Sequence, residues 1–237
     1  MTAKNILNNV SRRNIIKFGA AAIGTSVVTA GIGSKFLSTQ PAVANNDLTP
    51  DEALERLMEG NQRFISGKSN RPHQTLKDLQ SVSASQKPFA AILSCADSRV
   101  PSEILFDRGF GDLFICRVAG NVATPEEIGS LEFGTLVLGA KVLLVMGHKN
   151  CGAVDATIKG AQVPGQIASL LDAIKPALAK LDPKKAAQLE AGIKANVVYQ
   201  VAKLQESPVI SKLVNDGQLK IVGAYFDFDS GKISWVS

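Results

Sequence analysis

The sequence predicts an α/β protein with a central, mostly parallel β-sheet flanked by helices. Three observations carry that prediction. The runs "PFAAILS", "DLFICRV" and "KVLLVMGH" between residues 88 and 148 are apolar on successive residues, which marks strands buried on both faces rather than half-exposed ones. The helix-patterned stretch "TPEEIGSLEFGTLVLGA" separates the last two, and strands that alternate with helices run parallel. A length of 237 residues with 45% apolar content supports one core rather than two.

Each element follows from local signals. In "TPDEALERLMEGNQRFISG", Thr49 is placed as N-cap, Pro50 at the first helical position and Glu52 three residues after the cap. Leu54, Leu57, Met58 and Ile65 recur at helical spacing and Gly67 supplies the stop. "KSNRPHQ" reads as a loop. After the third strand come two long helical segments, around 165–180 and 184–206, and then "LKIVGAYFDFDSGKISWV". That last piece reads as a strand, a turn at Asp229 to Gly231 and an edge strand. No internal repeat stands out.

The 26 basic and 21 acidic residues give a net charge of +5. Lys4, Arg12, Arg13, Lys17 and Lys35, all within residues 1–44 and with no acid among them, account for the whole excess. The remainder is neutral, which disfavours a nucleic-acid partner. Residues 1–44 read as an export signal: paired arginines, a modestly apolar run, then the small-residue site "AVA" with cleavage expected after Ala44. Ser11, Arg12, Arg13, Ile15, Ile16 and Lys17 resemble the twin-arginine pattern, which carries folded proteins across a membrane. The expected location is therefore the periplasm or the thylakoid lumen, and residues 45–237 form the single mature domain.

Three cysteines are too few for a disulfide framework in an exported protein, so metal or catalytic use is the better reading. Cys95 closes the first strand and His148 the third, so both stand at the carboxyl edge of a parallel sheet, where ligands collect. Cys151 follows at the first turn of the next helix, where the dipole and free amides favour a thiolate. Two cysteines and a histidine make a zinc set, and three protein ligands leave the open position of a catalytic site. A closed zinc site or a buried thiol pair are the alternatives. Asp97 could close the shell as a fourth ligand, but Arg99 two residues on could hold it in a bidentate pair off the metal. Cys116, inside a strand, reads as a small buried apolar residue, and His73 as a loop surface residue.

"CADSRVP" followed by "GHKNCGAV" resembles the β-carbonic anhydrases, from about residue 49 to the C-terminus. The resemblance implies one zinc ion per chain on Cys95, His148 and Cys151, with Asp97 and Arg99 as an orienting catalytic dyad. It also implies substrate contacts from Gln86, from the wall positions Phe114 and Phe133, and from the backbone of Gly152; Phe133 stands where many members have tyrosine. The implied reaction is reversible hydration of carbon dioxide to bicarbonate and a proton, by hydroxide that zinc makes available near neutral pH. It further implies a homodimer or higher even oligomer, with the glutamine and some aromatics reaching the neighbouring chain's zinc and the helix at 49–66 packing on the partner. One branch of the family shuts its site with the aspartate and carries a tryptophan three residues before the first cysteine; here Ile92 stands there. The alternatives are a zinc hydrolase of carbon disulfide or carbonyl sulfide, and a non-catalytic bicarbonate- or zinc-binding protein.

Overall fold

The computed structural model describes residues 47–182, 184 and 188–236. The expected export signal at residues 1–44, with its cleavage site, lies outside them. Helix α1 (Pro50–Ile65) opens where Thr49 accepts from the Glu52 amide and Glu52 accepts from the Thr49 amide, with Pro50 in the first turn. Ser66 caps its end and Gly67 turns the chain away at φ 68. Of the apolar stripe only Leu57 is fully buried; Ala53, Gly60 and Asn61 complete the inward face. A Cβ on Gly60 would lie 1.8 Å from the carbonyl oxygen of Phe106, so only glycine allows this approach. Helix α1 thus lays its inward face on its own chain, and Ile65 is left exposed.

Five strands form one sheet: β1 (Ala90–Ser94), β2 (Leu113–Arg117), β3 (Val142–His148), β4 (Lys220–Phe226) and β5 (Ile233–Trp235). Their order is β2-β1-β3-β4-β5, parallel except for the antiparallel β5. Residues of β1 and β3 are buried throughout, as their unbroken apolarity requires. Strand β2 differs from the expectation of burial on both faces. It lies at the sheet edge with one neighbour, and its residues are half-buried or exposed.

Alternate residues feed two cores. Ala90, Ile92, Leu144 and Met146 pack with Ala53 and Leu57 of α1 and with Leu105 of α3 (Ser102–Leu105). Ala91, Leu93, Leu143 and Val145 pack with Leu131 of α4 (Pro125–Glu132) on the other side. The remaining helices are α2 (Leu76–Ser81), α5 (Gly152–Ile158), α6 (Ile167–Ala179), α7 (Leu189–Gln205) and α8 (Pro208–Asn215). Val197 and Leu204 of α7, with Ile210 and Leu213 of α8, extend the second core. Helix α8 is separate because Ser207 accepts from the Ile210 amide and Pro208 occupies the first turn.

The loop after α1 is held by one carboxylate. Arg71 and His73, at φ 51 and 52, flank Pro72 in the left-handed region. Asp107, its side chain 1% exposed, accepts from Arg63 Nε at 2.6 Å and from the Asn70 and Arg71 amides at 3.0 and 2.8 Å. Burial alone would raise its carboxyl; the guanidinium and the two amides hold it below its ordinary value. An Asp107→Asn variant turns an amide donor toward these donors and is expected to lose roughly 1.5–3 kcal/mol at neutral pH in urea denaturation. The carboxylate's contribution is present above its unfolded pKa and is lost as pH falls through the lower folded one. The gap between variant and wild type is therefore expected to narrow at a pH well below about 4.

Candidate metal centre

Ser94 of β1 pairs with Met146 of β3, so Cys95 and His148 leave the sheet side by side at its carboxyl edge. Asn150 then takes φ 56, a conformation asparagine tolerates, and turns the chain so that Cys151 becomes the N-cap of α5. The sulfurs of Cys95 and Cys151 and a ring nitrogen of His148 lie within 4.8 Å of one another, and all three residues are buried. The structure therefore brings together the three residues expected from the sequence.

Their polar atoms are arranged for a cation. His148 Nδ1 lies 2.9 Å from the Lys149 carbonyl; a carbonyl only accepts, so Nδ1 carries the proton and Nε2 a lone pair. That Nε2 is buried with no hydrogen-bond partner, an arrangement that costs free energy unless something accepts the lone pair. The two thiols shift each other in opposite directions. The Cys151 thiol beside it, opposed by burial but helped by the Gly120 amide, pulls Cys95 down to about 4, while the same contact and burial push Cys151 up. A cation bound by both sulfurs would take them as thiolates and release their protons. Two sulfurs and one imidazole suit zinc, with bonds of about 2.3 Å and about 2.0–2.1 Å.

Around this set the backbone is tightly determined. Gly120 donates to Cys95 Sγ at 3.4 Å. Its φ is 76, and a Cβ would meet Ile174 Cδ1 at 2.7 Å, so only glycine can present this amide. Asn196 Nδ2 donates to the Gly120 carbonyl at 2.8 Å, Gln200 Oε1 accepts from the Ala123 amide at 2.9 Å, and Gln200 Nε2 donates to Asn196 Oδ1 at 3.0 Å. Both side chains are fully buried on α7. Their signal in the sequence was two amides four residues apart within "NVVYQ", on a face otherwise apolar.

Asp97 stands beside the donors and is held by Arg99. Nε and Nη2 of Arg99 donate to the two carboxylate oxygens at 2.9 and 2.7 Å, and the Arg99 amide adds a third bond at 2.9 Å. This guanidinium keeps the Asp97 carboxyl well below the usual range despite some burial. Oδ2 lies 3.9 Å from His148 Nε2. Two further residues in this neighbourhood carried no sequence signal. Arg117 Nη2 donates to the Asp97 carbonyl at 2.6 Å and its Nε to the Cys95 carbonyl at 3.3 Å. The Phe228 ring centroid lies 4.4 Å from Arg99 Cζ and 5.3 Å from the His148 ring.

Other expected residues fall elsewhere within one chain. Gln86 is exposed in the loop before β1, so the whole strand, about 16 Å of extended chain, lies between it and Cys95. Phe114 is paired with Ala91, three positions short of Arg117, and its ring is 6.4 Å from that of the exposed Phe133. Gly152 is the first residue of α5 with open space where a Cβ would be. His73 is tied down more than a surface residue, its Nδ1 lying 2.9–3.0 Å from both Asp112 oxygens. Cys116 is half-buried and its thiol is raised by burial and by Glu127. Ile92 is fully buried.

The family model described as carbonic anhydrase matches residues 90–233. Carbonic anhydrase 2 of Mycobacterium tuberculosis is 35% identical over 188 residues, covering 77% of this chain and 91% of that protein. A Coccomyxa β-carbonic anhydrase solved with acetazolamide is similar over 81% of this chain and 86% of its own, at 25% identity and a TM-score of 0.60. Tetrameric β-carbonic anhydrases of Sordaria macrospora share the fold at 20% identity and a TM-score of 0.60, over 78% of this chain and 96% of theirs. With a family match over residues 90–233, a stretch that contains Cys95, His148 and Cys151, and relatives of this similarity and coverage, the chain belongs to the β-class carbonic anhydrase family.

Proposed function

We propose that the protein catalyses reversible hydration of carbon dioxide to bicarbonate and a proton, with one zinc ion per chain on Cys95, His148 and Cys151. The observation that carries this reading is the buried, unpartnered Nε2 of His148 beside two buried sulfurs, with Asp97 engaged by Arg99. Zinc supplies one thing when bound: it lowers the pKa of a coordinated water from about 15.7 toward about 7. The chain's own residues do the rest. Asp97, kept anionic by Arg99, accepts a hydrogen bond from the nucleophile and fixes its lone pair toward the carbon of the substrate. Arg99 keeps the carboxylate from taking a ligand position. Gly120 stabilises the Cys95 sulfur, and Arg117 holds the Cys95 and Asp97 carbonyls so that the dyad stays level with the donors.

Gln86, Phe114 and Phe133 enter this reading through a second copy of the chain. Gln86 would donate its amide to substrate or product in the partner's site, the two rings would line the apolar approach, and Gly152 would offer a backbone donor. Support comes from the exposure of Gln86 and Phe133. The unit in solution is proposed to be a homodimer or a higher even oligomer. Export by the twin-arginine route to periplasm or thylakoid lumen is proposed from residues 1–44; among the described residues no helix is long and apolar enough to cross a membrane.

Stopped-flow hydration of carbon dioxide at about pH 7 and about pH 8.5, with zinc assayed on the same sample, is expected to show turnover at both values. Zinc bound without turnover at either would overturn the assignment and bring carbon disulfide or carbonyl sulfide hydrolysis forward. A mixing experiment tests the shared site. Gln86→Ala is expected to lose roughly tenfold in kcat/KM, the worth of one good hydrogen bond, and Cys95→Ala essentially all activity. Refolded together, the two chains are expected to recover about a quarter of wild-type activity, because half the random dimers pair an intact zinc site with an intact Gln86 from the other chain. No gain over the separate variants would place Gln86 outside the partner's site. Finally, N-terminal sequencing of the exported protein is expected to begin at Asn45, and replacing Arg12 and Arg13 together with lysine is expected to retain the unprocessed chain inside.

A further inference from the structure

Strand β4 runs beside β3 with Phe226 level with His148, so the turn that follows lies over the same sheet edge as the metal donors. Phe228 is the one apolar residue in "DFDSG", and its partly buried ring has three neighbours. It meets the Phe226 ring edge-on at 5.3 Å, reaches the His148 ring at 5.3 Å, and carries the Arg99 guanidinium on its face at 4.4 Å. The turn beneath it is pinned. Asp227 Oδ1 accepts from the Asp229 and Ser230 amides and the Ser230 hydroxyl at 2.9–3.0 Å, and Lys149, next to His148, pairs with Asp227 at 3.5 Å and with Asp229.

The backbone from Cys95 to Val100 is fixed without Phe228. Arg117 holds the carbonyls of Cys95 and Asp97, and the Val100 amide donates to Asp97. The carboxylate of Asp97 is left to Arg99, whose side chain is 54% exposed. The bidentate pair is half open to solvent, where screening weakens it, and a cation on an aromatic face adds a second attraction that holds the guanidinium in place. The ring is thus a second anchor for the Arg99 guanidinium beside the carboxylate itself.

We infer that Phe228 is a positioning residue: it braces Arg99 against the His148 ring and so keeps Asp97 out of the ligand position beside Nε2. This rests on the proposed metal site but not on the proposed reaction. The wild-type chain and the Phe228→Ala, Phe228→Leu and Phe228→Tyr variants would be loaded with cobalt(II), and sodium azide titrated against the visible d–d bands, which report access to the ion without turnover. The Ala and Leu variants are expected to bind azide about fivefold more weakly, while Tyr, which keeps the ring, stays near wild type. In an Asp97→Asn background the effect of removing the ring is expected to vanish.

Leu behaving as wild type would overturn the inference, because then only apolar volume is needed. A loss that persists in the Asn background would also overturn it, because the ring then acts by another route. Should the Ala variant fail to fold, Leu and Tyr still carry the comparison. If the wild-type chain binds metal but does not hydrate carbon dioxide, the functional reading fails while the azide titration still decides the role of Phe228.

Discussion

The parallel pairing of β1 with β3 is the constraint on which the site depends. With Ser94 level with Met146, Cys95 and His148 emerge together although they are far apart in sequence. A slip of one residue would carry the whole side-chain set of a strand to the opposite face. Burial on both faces makes that slip costly: Ala90 and Ile92 are matched to one core, Ala91 and Leu93 to the other. The left-handed Asn150 and the helix it precedes then bring Cys151 back to the pair. Packing of apolar side chains, not attraction among the donors, assembles the site.

Assembling it has a free-energy cost that the surroundings offset only in part. An unpaired buried polar group costs about 1–3 kcal/mol, and Nε2 of His148 is such a group. The Cys95 sulfur has the Gly120 amide, and that amide is positioned in turn by Asn196 and Gln200. These side chains hold the backbone around the donors while leaving the donors themselves short of partners. A polar edge built this way is stabilised by a cation, so metal loading and the order of this edge are coupled.

Much of this was legible in the sequence because it depends on short-range or periodic signals. The capping box at Thr49, the apolar runs of β1 and β3, the antiparallel β4–β5 hairpin and the cluster of Cys95, His148 and Cys151 are all of this kind. What the sequence hid depends on sheet order or on non-local contact. Strand β2 carries the same apolar run as a central strand, and only the order of strands makes it an edge. Helix α8 lies beyond the helical segment read at 184–206, in a stretch to which no element was assigned, although Ser207 and Pro208 mark its start, and Thr75 with Asp78 similarly marks α2. Arg117 and Phe228 could not be read at all, since their roles come from sheet order: Arg117 pairs with Ser94 on the neighbouring strand, and Phe228 follows the strand end at Phe226, which pairs with His148.

The opposite end of the sheet bears on the proposal that a second copy completes the centre. Helix α2 has six residues and no buried side chain, with Leu76 70% exposed and Leu79 also exposed. A helix of that length is not stable in water on its own, and its capping box contributes only about 1 kcal/mol. Among the described residues nothing covers its apolar side chains, and Phe110 and Phe133 are exposed as well. Gln86 lies in the loop between α2 and β1. A second copy that covered α2 would therefore also fix the loop that carries Gln86, so that assembly and completion of the proposed site would be one event. The donor edge is held within the chain by β1 and β3, whereas under the proposed shared site the substrate contacts would form only on association, and activity would then depend on protein concentration wherever the oligomer is weak.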